Sequence, residues 1–373
     1  MMSDAPLMIM AGGTGGHIFP ALAVARQVTD RNIPVVWLGS RGGMEETLVA
    51  KQGIPMVALS VRGLRGKGLG MLLLAPFKLS LAVSQAVMAI LRYKPRAVLG
   101  LGGFASGPGG IAAWILRKPL YVHEQNAIPG MTNRWLARIS RCVMEGFPGS
   151  FRMVATICPV VHTGSPVRQE IVALPPVNTR MAERTGALRL LVIGGSLGAL
   201  KLNQVVPAAV ASLQNRHIEI RHQCGARHLD ATLEAYADTT VAARIEPFIE
   251  DMAEAYGWAD LVIARAGALT VSELIQVGVA ALLVPYPHAV DDHQTANANV
   301  LVDTGAAHMM KDAELTAESL GSELAELLTG RDRLQAMAEA SALLKTPEAA
   351  EHVARICLGE MAPEQQLTME ASA

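Results

Sequence analysis

Met8-Ile9-Met10-Ala11-Gly12-Gly13-Thr14-Gly15-Gly16-His17 sets the reading of the whole chain. An apolar run, 7–10, ends in four glycines split by one threonine, then a histidine. Beyond it Ile18, Ala21, Leu22 and Ala25 recur at helical spacing. The pattern is strand, tight glycine turn, helix start. Glycine lets a backbone turn sharply and puts no side chain between its amides and a ligand. A helix N-terminus adds N–H groups and partial positive charge, which suit a phosphate or an oxyanion. A plain strand-to-helix turn needs one glycine. Four of them, with His17 at the helix mouth, point to a ligand site.

The same grammar repeats outward. Apolar runs at 7–11, 35–38, 56–59, 97–101, 120–123, 143–147 and 160–163 alternate with helical patterns such as 18–28 and 45–51. Continuous apolar strands belong to a parallel sheet covered on both faces. That is a doubly wound α/β half, with ligands at the C-terminal ends of its strands. Gly164-Ser165-Pro166 and Pro175-Pro176 mark a linker. A new strand at 190–193 then runs into GGSLGA (194–199), an echo of the opening. Further strands are expected at 218–222, 241–245, 261–264, 281–284 and 306–310, with helices past Ala317. The expected architecture is two doubly wound Rossmann-like domains, 1–165 and 166–344, facing across a cleft. A helix at about 345–360 is expected to pack back on the first, leaving 361–373 as a frayed tail.

Length and composition bound the function. The 373 residues suit about two domains. A formal net charge of −1 and 17% charged residues give no general attraction to nucleic acid. Half the chain is hydrophobic (51%), so extended disorder is not expected. Cys142, Cys158, Cys224 and Cys357 show no metal-ligand spacing and read as buried thiols of a reducing compartment. The N-terminus enters the first strand without a basic leader and cleavage site, which fits the cytoplasm or its membrane face.

A dinucleotide fold is the obvious rival. It wants an acidic residue closing the second strand, to hold the ribose hydroxyls. Here that strand ends Trp37-Leu38-Gly39-Ser40, and Ile18 stands where a third fingerprint glycine belongs. Both speak against NAD. The absence of GxxxxGK[ST] excludes a P-loop ATPase.

Other stretches carry chemistry. GGFASGP (102–108) and HEQN (123–126) close two further strands of the first half, on the same sheet edge as GGTGGH (12–17). Polar residues running out of a buried strand are costly unless paired or functional. RGLRGKG (62–68) places three cations, Arg62, Arg65 and Lys67, on a glycine-rich loop. The segment 69–91 after it is nearly continuous apolar sequence, broken by Pro76, Lys78, Ser80, Ser84 and Gln85. Its length would span a bilayer, but spanning would split one sheet across a membrane. A core helix, or a helix whose outer face dips into anionic lipid, remains. In the second half RAGALTVSEL (265–274) runs from strand to helix through small residues. Thr270 or a neighbour can cap it, and Glu273 can accept two hydrogen bonds from a ribose diol. DDHQ (291–294) follows a proline-fixed loop and reads as a sugar-facing segment. His288, Asp291, Asp292 and His293 lack a recognised metal spacing, so hydrogen bonding is the preferred reading.

Taken in order, GGTGGH, RGLRGKG, GGFASGP, HEQN, GSPVR (164–168), GGSLGA, RAGALTVSEL and DDHQ resemble the MurG family of glycosyltransferase family 28. Its members are N-acetylglucosaminyltransferases that convert lipid I to lipid II in bacterial cell-wall synthesis. The resemblance covers almost the whole chain. It implies a GT-B fold, with UDP-GlcNAc held mainly by the C-terminal domain and lipid I by the N-terminal one. By matching position, Ser196 and Arg168 would contact the nucleotide or its phosphates, and the backbone of Ile249 would read uracil. Ala268, Leu269, Thr270, Val271, Ser272 and Glu273 would hold diphosphate and ribose. Asn126 and Gln294 would contact GlcNAc, and Thr14, Gly15 and Gly16 the diphosphate side of the cleft. Arg62, Arg65, Lys67 and Lys78 would serve the acceptor and the membrane. Phe104 stands where many members carry tyrosine, and 152–159 and 361–373 lie outside the pattern. No cofactor or metal is implied. A peripheral position on the cytoplasmic face of the inner membrane is, together with anionic lipid and other cell-wall and division proteins as partners.

Inverting transfer requires a base for the acceptor hydroxyl. His17 is the first choice because imidazole titrates near neutrality. Glu124 is the alternative base, or the group that orients His17. Two other classes stay open: another GT-B enzyme, such as a UDP-GlcNAc 2-epimerase or a different lipid glycosyltransferase, and a catalytically silent scaffold. The cationic loop and apolar helix argue against a soluble epimerase. The presence of His17, Glu124 and Glu273 argues against a scaffold.

Overall fold

The structure is a computed structural model, and it describes residues 5–60, 75–182, 184–195, 198–213, 217–237 and 239–363. Arg62, Arg65, Lys67, Ser196, the first part of the 69–91 segment and the tail from 364 lie outside the described residues. The chain divides into two units, 1–168 with 346–373, and 169–345.

The first unit carries β1 (Leu7–Ala11), β2 (Val35–Ser40), β3 (Met56–Leu59), β4 (Ala97–Gly102), β5 (Leu120–Glu124), β6 (Cys142–Glu145) and β7 (Val160–His162). They form one parallel sheet in the order β3-β2-β1-β4-β5-β6-β7. Between them lie α1 (Gly15–Thr29), α2 (Met44–Ala50), α3 (Ala75–Tyr93), α4 (Ser106–Ile115) and α5 (Met131–Leu136). The two faces of each strand feed two cores. Leu7, Ile9 and Ala11 pack with α1, while Met8 and Met10 pack beside Ala86, Ile90, Ala112 and Ala113 of α3 and α4. This is why the strands read as uninterrupted apolar runs.

Helix α3 explains its own mixed sequence. Ala82, Ala86, Ala89 and Ile90 are buried, whereas Phe77 (75%) and Met88 (70%) stand exposed with Leu79, Leu81 and Leu91. Gln85 is structural: its Oε1 accepts the Ser60 N–H at 2.9 Å, and its Nε2 donates to Ser60 Oγ at 3.2 Å, tying the helix to the end of β3. Among the described residues no helix is long and apolar enough to cross a membrane.

The second unit holds β8 (Leu188–Ile193), β9 (Ile218–Gln223), β10 (Ala242–Glu246), β11 (Leu261–Ala264), β12 (Ala280–Leu283) and β13 (Ala307–Met309). All pair in parallel, in the order β10-β9-β8-β11-β12-β13. Its helices are α6 (Gln169–Val172), α7 (Val177–Met181), α8 (Leu200–Ala211), α9 (Leu229–Tyr236), α10 (Met252–Trp258), α11 (Ala268–Val277), α12 (His293–Val302), α13 (Ala317–Leu327) and α14 (Arg331–Ala342). The chain then returns to the first unit with α15 (Ala349–Leu358), whose Val353, Ile356 and Cys357 join the core beneath α1. Arg31, just past the end of α1, ties the two together, 3.1 Å from Glu351 in α15 and 3.7 Å from Glu360 just beyond it.

Candidate active site

In the first unit β1, β4 and β5 are neighbours, so the turns that follow them share one edge. GGTGGH and GGFASGP meet through glycines. A Cβ on Gly103 would strike the carbonyl oxygen of Gly12, and Gly103 has φ +84°. A Cβ on Gly102 would lie 2.8 Å from the His17 ring carbon Cδ2 and 2.9 Å from Nε2. The half-buried imidazole therefore rests on bare backbone. Ser106 fixes the second turn: its Oγ accepts the Gly102 N–H at 3.1 Å and lies 3.0 Å from the Met10 carbonyl.

Thr14, Gly15 and Gly16 form the N-terminal turn of α1, with Thr14 as its extended N-cap. No cap hydrogen bond comes from the Thr14 side chain, so the first-turn amides are not satisfied by it. His17 sits in this turn. Arg168 falls in the first unit and lays its guanidinium over Phe19 of α1, 4.9 Å from the ring centre.

The HEQN stretch sorts into two jobs. His123 is fully buried. Its Nε2 lies 3.0 Å from the Gly164 carbonyl, and the Gln125 amide lies 3.2 Å from Nδ1. Burial pushes its pKa down to about 4, so the ring is neutral and structural. Glu124 differs from its expected role as base or partner of His17. Its Oε1 accepts from Asn126 N and Nδ2, both at 2.9 Å. Its Oε2 accepts from Gly130 N at 3.0 Å and Asn133 Nδ2 at 2.9 Å. Four donors occupy both oxygens of a side chain that is 1% exposed. Such a carboxylate organises its loop and presents the half-buried Asn126; it is poorly placed to take a proton.

In the second unit β8, β11 and β12 are adjacent, and their C-terminal turns share an edge. Gly198 (φ +77°) must be glycine, because a Cβ would run into the Cys224 carbonyl. Helix α11 begins at Ala268 with Gly267 as N-cap and no side-chain cap. Of Thr270 and its neighbours, the cap is Gly267; Thr270 stands third in the helix. By helix geometry the amides of Ala268, Leu269 and Thr270 have no intrahelical acceptor, the kind of terminus that suits an anion. Val271, Ser272 and Glu273 are buried, and Tyr256 of α10 donates its hydroxyl to Glu273 Oε2 at 3.0 Å. Ile249, in the loop after β10, is 2% exposed. Gln294, the second residue of α12, accepts the Tyr286 N–H at 2.8 Å through Oε1.

Several supports were invisible in the sequence. Arg265 pairs with Asp312 at 2.6 Å and reaches the carbonyls of Val284 and Pro285, both at 3.2 Å. Burial alone would raise the Asp312 pKa, but Arg265 and Lys201 hold it below the usual value. Asn297 donates to the Ala266 carbonyl at 3.2 Å, fixing the turn before α11. Asn133, Tyr256 and Glu45 also escaped notice, since their partners are distant in sequence or are backbone atoms. Among the described residues no group of three or more metal-ligating side chains gathers.

Two parallel α/β units, each with glycine turns and a helix N-terminus on its functional edge, define a GT-B glycosyltransferase. Residues 7–145 match the glycosyltransferase family 28 N-terminal domain and 189–353 its C-terminal domain. The UDP-N-acetylglucosamine–N-acetylmuramyl-(pentapeptide) pyrophosphoryl-undecaprenol N-acetylglucosamine transferase of Marinobacter nauticus is 52% identical over 96% of this chain and 99% of its own. The enzyme of that name from Alkalilimnicola ehrlichii is 53% identical over 95% and 99%. The crystal structure of Acinetobacter baumannii MurG superposes with a TM-score of 0.82, at 41% identity over 95% of this chain and 99% of that one. The chain belongs to the MurG family of N-acetylglucosaminyltransferases.

Proposed function

We infer that this chain transfers N-acetylglucosamine from UDP-GlcNAc to the N-acetylmuramyl sugar of lipid I, giving lipid II. The observation that carries the reading is identity above 50% across both units with transferases of that name, to nearly their full length. In the finer reading, the acceptor 4-hydroxyl attacks C1 of GlcNAc. A new C1–O bond forms as the bond from C1 to the phosphate oxygen breaks, with inversion at C1. His17 takes the hydroxyl proton, and the electron pair leaves on UDP. Amides at the start of α11 stabilise that leaving diphosphate, with Ser196 and Arg168 as further contacts. Glu273 holds the ribose diol, the Ile249 backbone reads uracil, and Asn126 and Gln294 meet the transferred sugar. Gly15 and Gly16 face the acceptor diphosphate. No metal or cofactor is assigned a part. Radiolabelled UDP-GlcNAc with a lipid I analogue should yield a lipid-linked disaccharide. Release of free sugar or epimerised nucleotide sugar without that product would overturn the reading.

The membrane reading rests on the exposed apolar row of α3, with Phe77, Leu81 and Met88 outward beside Lys78. Burying that face in the headgroup boundary of an anionic membrane removes apolar area from water, and nearby cations add salt-sensitive attraction. Lys78, with Arg62, Arg65 and Lys67, supplies the charge, and on this reading the enzyme sits peripherally on the cytoplasmic face. The protein should sediment with anionic vesicles at low salt and be released as salt rises. Recovery in the supernatant at low salt would leave α3 as an ordinary core-packed helix.

A further inference from the structure

Glu45 is an ionisable residue with no place in the reaction above, yet its side chain is 0% exposed. It stands in the first turn of α2, where an acid ordinarily points to solvent and meets the helix field. Instead it turns inward under the glycine loop. Its Oε1 accepts the Ser40 N–H at 2.8 Å, and its Oε2 accepts the Gly13 N–H at 3.3 Å. Three glycines make the room. A Cβ on Gly12 or on Gly43 would collide with the carboxylate, and one on Gly39 would lie 2.8 Å from Glu45 Cγ. β2 itself ends in Gly39-Ser40, with no acid. One does arrive there, five residues later, and it faces the protein's own amides. A buried carboxylate is costly unless its charge is met by donors, so it locks the donors that meet it.

Those donors sit at the root of the site. Gly13 (φ +90°) is the turn from β1 into Thr14, and Thr14 caps the helix that carries His17. Gly12 in turn abuts Gly103, and Gly102 backs the His17 ring. We infer that Glu45 is a positioning residue: its buried carboxylate holds the Gly12-Gly13 peptide, and through it the α1 amides and His17, in the reactive arrangement. Because the Gly13 N–H is given to Glu45, an acceptor diphosphate meets the Gly15 and Gly16 end of the loop instead. This inference rests on the transferase reading, and two readouts separate the two.

The first readout is amide hydrogen exchange on the full-length protein. Glu45→Gln keeps the size of the side chain but loses the charge and turns an NH₂ toward a donor. Exchange over 12–17 should quicken by about tenfold or more, with the second unit unchanged. The second is turnover. For Glu45→Gln, kcat should fall by about 10²-fold, as for small misplacements of catalytic groups, while UDP affinity stays within about twofold. Gly12→Ala, which crowds the same carboxylate from the other side, should give the same split. Adding Glu45→Ala to it should relieve the crowding without restoring rate. Unchanged exchange over 12–17 in both Glu45→Gln and Gly12→Ala would overturn the inference, whether or not the wild type transfers sugar. So would a loss of UDP affinity in step with kcat, since the carboxylate would then hold the fold at large. A wild type that exchanges as expected but makes no lipid-linked disaccharide counts against the transferase reading alone.

Discussion

Alanine at position 17 is expected to lower kcat by about 10²–10⁴-fold at saturating donor and acceptor, the range for removing a general base. The KM for UDP-GlcNAc should stay within about twofold. Equal losses in kcat and kcat/KM are the signature of an interaction made in the transition state and not in the ground state. The argument rests on placement. His17 lies in the first turn of α1, directly after the glycine loop that leaves β1. Its ring lies against Gly102, where φ is +112° and any Cβ would strike it. The chain has thus kept one wall of the ring free of side chain. The rival base is spent: Glu124 already accepts four hydrogen bonds from its own loop. An acid limb of the kcat–pH profile that belongs to this base should be present in the wild type and vanish in His17→Ala. Near-normal turnover of that variant at saturating acceptor would remove His17 from the role.

What was legible in the sequence, and what was not, divides along a physical line. Strands buried on both faces leave a continuous apolar run, so β1 and β11 were read at 7–11 and 261–264, the bounds they have. Glycine turns were legible because few other residues reach their backbone geometry. Partners were not. Nothing near Glu45 says that its carboxylate goes to the Gly13 amide, 32 positions back. Nothing in HEQN says that His123 would be bonded to a carbonyl at 164, or that Glu124 would be consumed by Asn126, Gly130 and Asn133. Local pattern reports burial and turn chemistry, whereas a side chain's task depends on which distant backbone it meets. The cap of α11 is legible only loosely, as Thr270 or a neighbour. Gly267 takes the extended conformation that starts the helix, three residues earlier than the hydroxyl suggested.

The second large effect should come from Glu273. Removing it is expected to weaken UDP binding by about 1–3 kcal/mol, the cost of losing a charged hydrogen-bond acceptor from a buried site. That corresponds to roughly 5–150-fold in affinity. Glu273 is 3% exposed. The Tyr256 hydroxyl, 3.0 Å from Oε2, fixes its direction within α11. One carboxylate has lone pairs enough to take both ribose hydroxyls while keeping that bond. Glu273→Gln preserves shape and loses charge, so its loss should be intermediate. Tyr256→Phe removes only the orienting bond and should cost less than Glu273→Ala. Calorimetry with UDP measures each. The decisive comparison uses 2′,3′-dideoxy-UDP, which lacks the diol. Wild type and Glu273→Ala should bind that analogue alike, because the interaction energy of a pair disappears once either partner is gone. A full-sized penalty for Glu273→Ala against the dideoxy nucleotide would mean that Glu273 supports the α11 turn and the diphosphate, and that the ribose is held elsewhere.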